Sequence, residues 1–468
     1  MTNTLLKTMN LPAYVRIAHD ILDVIECNIY EKNTLLPSER GLAVKYKVSK
    51  IVINRTLSLL AKQGSIEKIP QKGSFVRAGN RKKAVSRPKI LISGSHAPKD
   101  INKRQKAFSA LLRKEFPEVD IEYIQEEFLP KDRQTFPESA DIIICSERLF
   151  AKFALEGRLE SLVDLNVSID RSEYFPQPFQ QCEINGLPFA VPLNFNPSIL
   201  YCNQRILEKI GFTGDLNILN WKSFIKICNE IKAKLPEVFP MGYFDFLSCW
   251  WENFLYTHGL DIIKADKFET DIFSPNGASA IELMKNLVKN DLADNLTVRR
   301  NALELINNDH VTFFICNPRL MGELKDLSSW TIAPVPMGSH RISAANSFLM
   351  AINSKSKNIS LCKEILSFML SEKFQLWLGS EYAIGPVHKQ ALKETYNTPN
   401  LKALCAASEV AKMLPNRVEY WNINDELGRA IYQIINGMVE LPKIEQEIKN
   451  KLYLERKEWN SIRLLGIV

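Results

Sequence analysis

Histidine is scarce in this chain, with six in 468 residues and none spaced as metal ligands. There is no H-E-x-x-H, no G-x-S-x-G and no G-x-x-x-x-G-K-[ST]. Metallopeptidase, serine-hydrolase and P-loop chemistry are therefore not expected, and neither is a cofactor. No apolar run approaches the ~20 residues needed to span a bilayer. The opening stretch MTNTLLKTMNLPAYVRIAHD has no apolar region leading to a small-residue cleavage site, so no export signal and no membrane partner are expected. The nine cysteines are scattered and include no C-x-x-C. That fits reduced thiols in a cytoplasmic protein better than a disulfide framework.

What is present is ordinary in bulk and uneven in charge. Hydrophobic content is 46% and charged content 24%, as in a soluble globular protein, and the length suggests two to four domains. The net charge is +7. Residues 1–90 hold 17 Lys and Arg against 6 Asp and Glu, whereas the remainder holds 43 against 47. A basic first fifth on a mildly acidic body suggests a module that binds a polyanion. A lysine-rich solvated surface would give the same count.

The basic region has a pattern as well as a charge. Val15, Ile17, Ala18, Ile21, Leu22, Val24 and Ile25 recur at helical spacing and predict a helix over 12–30. In LPSERGLAVKYKVSKIVINRTL (36–57) five cations accompany one anion. Ser38 fits an N-cap after Pro37 and opens a short helix over 39–47. Ser49 fits a second N-cap, and Lys50–Gln63 turns Val52, Ile53, Thr56, Leu57, Leu59 and Leu60 toward a core. Gly64 is a natural stop. SIEKIPQKGSFVRAG then alternates as two strands joined through Gln71, Lys72 and Gly73. Three helices followed by a basic hairpin make a winged helix-turn-helix. A recognition helix of this kind offers polar residues to base edges, and the cations around it neutralise phosphates.

LPSER (36–40), VSKIVINRTL (48–57) and IEKIPQKGSFV (66–76) resemble the GntR family of bacterial regulators. The resemblance covers about residues 11–78 and implies a DNA-contacting set of Ser38, Arg40, Ser49, Lys50, Ile51, Asn54, Arg55, Lys72 and Gly73. Ile51 and Val52 replace the family's usual hydroxyl pair, and Pro70 and Gln71 replace a cation and a glycine in the wing. These departures imply an operator unlike the usual family site. The winged-helix domain is placed at 8–78, followed by a charged linker at 79–88.

The body, 89–468, alternates strand and helix signals and is expected to be α/β. Strands are predicted at 89–92, 120–124 and 140–146, with a helix at 103–116. ADIIICSERLFAKFALEGRLESLVDL, NGLPFAVPLNFNPSILYCNQRILEKIGF, NNDHVTFFICNPRL, WTIAPVPMG and SFLMAINSKSKNISLCKEILSFMLSEKFQLWL follow one another in the order of the ABC-transporter extracellular solute-binding proteins of family 1, the maltose-binding-like sugar binders. The resemblance implies a two-lobed, periplasmic-binding-protein-like (type II) fold with a hinge. Lobe one is placed at about 89–192 and 344–375, and lobe two at about 197–340 and 378–468. It also puts a ligand cleft between the lobes, with candidate residues Ser95, Ser146, Glu147, Asn194, Asn196, Trp250, Trp251, Asn317, Arg319, Asn346, Ser347 and Tyr382. Asn, Glu, Arg and aromatic side chains suit a carbohydrate. Trp250 and Trp251 suit a core equally well.

Together these features point to a homodimeric regulator that binds double-stranded operator DNA and responds to a small solute, most simply a sugar. A solute-binding protein whose N-terminal module serves assembly remains the alternative. A carbohydrate-active enzyme would need paired carboxylates across the cleft, where the candidates offer only Glu147.

Overall fold

In a computed structural model of the chain, residues 13–26, 34–62, 64–70, 72–76, 87–94, 101–125, 136–243, 249–264, 269–296, 299–382, 384–395, 400–414, 416 and 418–464 are described. The chain divides into two compact units, Met1–Arg87 and Pro88–Val468.

In the first unit, helices Ala13–Glu26, Glu39–Tyr46 and Lys50–Lys62 precede a hairpin of strands Ile66–Ile69 and Gly73–Val76. Local chemistry sets the boundaries. The Ser38 hydroxyl accepts from the Gly41 N–H at 3.1 Å and opens the second helix. Lys47 closes it in the left-handed region, φ 54°, and donates its N–H to the Ala43 and Val44 carbonyls. The Thr56 hydroxyl donates to the Tyr14 and Val52 carbonyls, tying the third helix to the first. Ile17, Ala18, Ile21, Leu42, Ile53, Leu57, Leu60, Ile66 and Val76 share one core. The segment before the second helix joins the hairpin as a third strand: the Leu36 N–H donates to the Ser74 carbonyl, and the Val76 N–H to the Thr34 carbonyl. The wing enters its second strand at Gly73, φ 108°, where a Cβ would lie 2.7 Å from the Leu35 side chain. Both the torsion and the contact require glycine there.

The second unit holds two five-stranded sheets, each mixed. The first has the order Asp120–Gln125, Lys89–Gly94, Ile142–Ser146, Phe348–Ile352, Ala190–Pro192. Its first three strands run parallel, and Phe348–Ile352 runs against both of its neighbours. The second has the order Ala293–Asn295, Phe239–Tyr243, Val311–Cys316, Ile199–Asn203, Trp330–Ala333. Its first three strands are again parallel, and Ile199–Asn203 is antiparallel to both neighbours. Near-continuous apolar strands such as VTFFIC, buried at every residue, are what a sheet covered on both faces demands. Among the described residues no helix is long and apolar enough to cross a membrane. Cys145, Cys182, Cys202, Cys228, Cys316 and Cys362 are buried thiols outside any disulfide. Burial pushes the Cys228 and Cys316 thiols up, which makes them unreactive.

The chain passes between the sheets at 193–198 and at 343–348, and these passages are laced together. Asn196–Pro197 pairs antiparallel with Ala345–Asn346. The Ser347 hydroxyl donates to the Asn194 carbonyl at 2.6 Å, and the Phe348 N–H donates to Asn194 Oδ1 at 2.7 Å. The Ser347 N–H donates to the Glu147 carboxylate at 2.5 Å. Gly385 lies against this hinge, its N–H donating to Asn196 Oδ1 and its carbonyl accepting from the Phe195 N–H.

Two expectations follow. A Cβ on Gly385 would stand 2.0 Å from the Phe195 carbonyl oxygen, so Gly385→Ala is expected to cost about 1–3 kcal/mol by overpacking, read as a lowered unfolding temperature. Glu147 is 4% exposed, and burial raises its carboxyl from 4.5 to about 7, opposed by hydrogen bonds from its own N–H and that of Ser347. The folded state thus holds this proton more tightly than the unfolded chain. The stability it lends is full below pH 4.5 and is lost as pH rises through about 7. Glu147→Gln should raise the unfolding temperature at pH 8, by the equivalent of roughly 3 kcal/mol, with the gain vanishing toward pH 4.5. A pH-independent difference would contradict this.

Candidate functional site

In the first unit, Ser38, Arg40, Ser49, Lys50, Ile51, Asn54, Arg55, Lys72 and Gly73 are all exposed. The helix Lys50–Lys62 buries Ile53, Thr56, Leu57 and Leu60, which leaves Ile51, Asn54, Arg55 and Ser58 outward. Two of the serines already serve the fold. Ser38 caps the second helix, and the Ser49 hydroxyl accepts from the Val52 N–H at 3.4 Å.

The outward polar groups of the third helix are organised by Glu39, a residue the sequence reading passed over. Asn54 Nδ2 donates to Glu39 Oε1 at 3.0 Å. Lys50 Nζ is 3.8 Å from Glu39 Oε2, and Lys68 Nζ, from the first wing strand, is 3.9 Å from Oε1. Lys68 also donates to the Asn54 carbonyl and to the Ser58 hydroxyl, and Ser58 donates to Asn54 Oδ1. One carboxylate at the start of the second helix therefore links the third helix and the wing. Its place there also suits the helix dipole. The surplus of cations remains on the surface, as phosphate binding requires.

In the second unit the structure brings together some of the sequence-selected residues and disperses others. Glu147, Asn194 and Ser347 meet, but each is committed to the hinge through the hydrogen bonds described above. Asn196 Nδ2 donates to Asn346 Oδ1 at 3.2 Å, joining the two passages side chain to side chain. The Asn317 side chain accepts from the Arg319 N–H at 3.2 Å and caps its own short helix, and the Asn317 carbonyl accepts from the Tyr201 hydroxyl. Trp250 and Trp251 are 3% and 4% exposed and belong to the core; Trp250 stacks on Tyr243 with ring centres 4.2 Å apart. The sequence reading left a core role open for them, and packing fills it. Ser146, Arg319 and Asn346 are half-buried. Ser95 and the side chain of Tyr382 lie outside the described residues.

A further residue stands next to Glu147. Arg148, on the helix Glu147–Leu155 of the first lobe, makes an ion pair with Asp425, on the helix Val418–Ile435, whose Tyr420, Ile423 and Leu427 belong to the core of the second lobe. It bridges the lobes. No local pattern could have revealed it, because the partners are 277 residues apart. An open cavity of about 980 Å³, lined in part by Gln204, Asp215, Trp330 and Thr331 and by Ser380 of the helix Glu372–Tyr382, includes none of the sequence-selected residues.

These two units match two known families. Residues 13–76 match the bacterial regulatory proteins of the gntR family, and residues 100–376 match the bacterial extracellular solute-binding proteins. Among curated proteins, the chain is 31% identical over 83 residues to the uncharacterized HTH-type transcriptional regulator YurK of Bacillus subtilis (strain 168), covering 18% of this chain and 33% of YurK. It is 32% identical over 98 residues to the HTH-type transcriptional regulator TreR of the same organism, covering 21% of this chain and 40% of TreR. The chain thus spans only about a third to two fifths of these relatives' length. Among solved structures, the GacH receptor of Streptomyces glaucescens GLA.O, determined unliganded and with acarbose and an acarbose homolog, shares the fold. Its TM-score is 0.68 at 19% identity, over 79% of this chain and 98% of that one. Neither matched family is a family of enzymes. The chain belongs to the bacterial extracellular solute-binding protein family and carries a winged helix of the gntR family of bacterial regulatory proteins in residues 13–76.

Proposed function

We propose that this chain is a transcription regulator that binds operator DNA through its first unit and is controlled by a small solute, most simply a sugar, held between the two lobes of its second unit. The observation that carries the reading is the union, in one chain, of a winged helix with an exposed basic face and a hinged two-lobed solute-binding fold. Arg40, Lys50, Arg55 and Lys72 would neutralise phosphates, with Ser38, Ser49, Ile51, Asn54 and the Gly73 turn beside them. Ser146, Arg319 and Asn346, with Ser95 and Tyr382, are proposed to meet the solute, supported from behind by Glu147, Asn194, Asn196, Asn317 and Ser347. The regulator is proposed to act as a homodimer on near-palindromic half-sites and to reside in the cytoplasm, where buried thiols outside any disulfide persist. A solute with unequal affinity for the two arrangements of the lobes shifts the balance between them.

Two measurements test this. Duplexes selected from random DNA by the full chain should bind with a steep loss of affinity as salt rises, and Arg40→Ala and Arg55→Ala should each weaken binding about tenfold. Undiminished binding by both variants would remove DNA reading from this face. Thermal unfolding of the full chain against mono- and oligosaccharides should single out one ligand that, at about 100 times its Kd, adds roughly 2.7 kcal/mol, a shift of a few degrees. A panel without a hit would remove sugars as the solute.

A further inference from the structure

The third helix of the first unit begins with a side chain that the fold does not use. Ile51 sits in the first turn of Lys50–Lys62 and is 70% exposed. Its neighbours Ile53, Thr56 and Leu57 are buried, so the core of this unit closes without it. A β-branched residue gains nothing there from helix propensity. Lone exposed apolar residues are common and by themselves mean little. The surroundings of this one differ. On the same outward face, Asn54 is bonded through its amide nitrogen to Glu39 and through its oxygen to Ser58, and Lys50 leans on the same carboxylate. The polar groups of the first turns are thus partly engaged within the protein. Ile51 is a large apolar side chain that the core does not take up, placed where a recognition helix enters the major groove.

A branched apolar side chain has one partner on base edges. Among the major-groove edges, only thymine presents a carbon group, the C5-methyl. We infer that Ile51 is a specificity-determining residue that reads a thymine methyl group in each operator half-site. This rests on the DNA-binding reading proposed above. Isoleucine over a methyl excludes water from both and makes no hydrogen bond, so it selects thymine against cytosine, whose edge presents an amino donor with no methyl.

The test uses the full chain and duplexes it selects from random DNA. Each thymine is replaced singly by deoxyuracil, which removes the methyl and leaves the hydrogen-bonding edges unchanged. One thymine per half-site is expected to respond, with affinity falling about fourfold, the value of one buried methyl group. Ile51→Ala should lower affinity for the thymine duplex by a similar or larger factor and abolish the response to uracil there. Ile51→Val should keep it. Exposure of Ile51 means that both variants should unfold at the parent temperature. If the chain selects duplexes but no uracil substitution matters, or if the response survives in Ile51→Ala, the inference fails while DNA binding stands. If no duplex is selected at all, the DNA-binding reading itself fails.

Discussion

Two lobes can move as bodies only if the strands between them keep their backbone groups paired throughout, and this requirement shapes the second unit. An N–H or carbonyl left unpaired in so enclosed a place would cost as much as a lost hydrogen bond. The two passages, 193–198 and 343–348, meet the requirement by pairing with each other and by recruiting side chains from both sides: Asn194 for the Phe348 N–H, Glu147 for the Ser347 N–H, and Asn196 for the Gly385 N–H. Gln375 closes the ring, donating to the Leu193 carbonyl and accepting from the Val387 N–H. The polar residues densest around the hinge are therefore occupied in holding it. Of the residues proposed to meet a solute, Ser146 and Arg319 lie outside the passages, and the half-buried Asn346 lies within one.

That division was the part of the site least legible in the sequence. Caps, helical spacing and strand alternation gave the elements of the winged helix, because those signals act within a few residues. Ser38, Gly73 and the apolar set from Ile53 to Leu60 each follow from a local rule. The opening strand, helix and strand of the body were legible for the same reason, and the strands at 89–94 and 120–125 begin where the pattern put them. What a polar side chain is bonded to is a long-range fact. Glu147 meets Ser347 across 200 residues, and Arg148 meets Asp425 across 277. Even Asn54 and Glu39, only 15 apart, lie on different helices. Residue type suggested ligand contacts for Glu147 and Asn194, whereas the Ser347 and Phe348 N–H groups donate to them. An aromatic pair in an apolar helix fits a sugar platform or a core with equal ease, and only the Tyr243 ring beside Trp250 decides it.

The first unit uses the same economy in a different form. Glu39 lowers the positive charge of the surface, which weakens phosphate attraction, yet it fixes Asn54, Lys50 and Lys68 relative to one another. Ordered side chains lose less entropy on binding, so part of the lost attraction returns as preorganisation. The ion pairs themselves, at 3.8 and 3.9 Å and partly exposed, are worth at most about 1 kcal/mol each.

The contacts between the lobes set how large an effect a solute must have. Beside the half-exposed Arg148–Asp425 pair, Gln177 donates to the Ser408 and Glu409 carbonyls at 3.4 Å, and Asn416 donates to the Gln181 carbonyl. The opposite ends of these amides fare worse. Gln177 Oε1 and Asn416 Oδ1 are buried with no hydrogen-bond partner among the described residues. Apolar packing adds to these bonds, since Ile92 and Met350 of the first sheet share one buried cluster with Tyr201 and Phe314 of the second. Coupling between sites in regulated proteins amounts to about 1–3 kcal/mol, and a solute present at ~100 times its Kd supplies roughly 2.7 kcal/mol. In the proposed regulator, this is the energy that a solute sets against both the polar bonds of the seam and the apolar cluster that residues of the two sheets share.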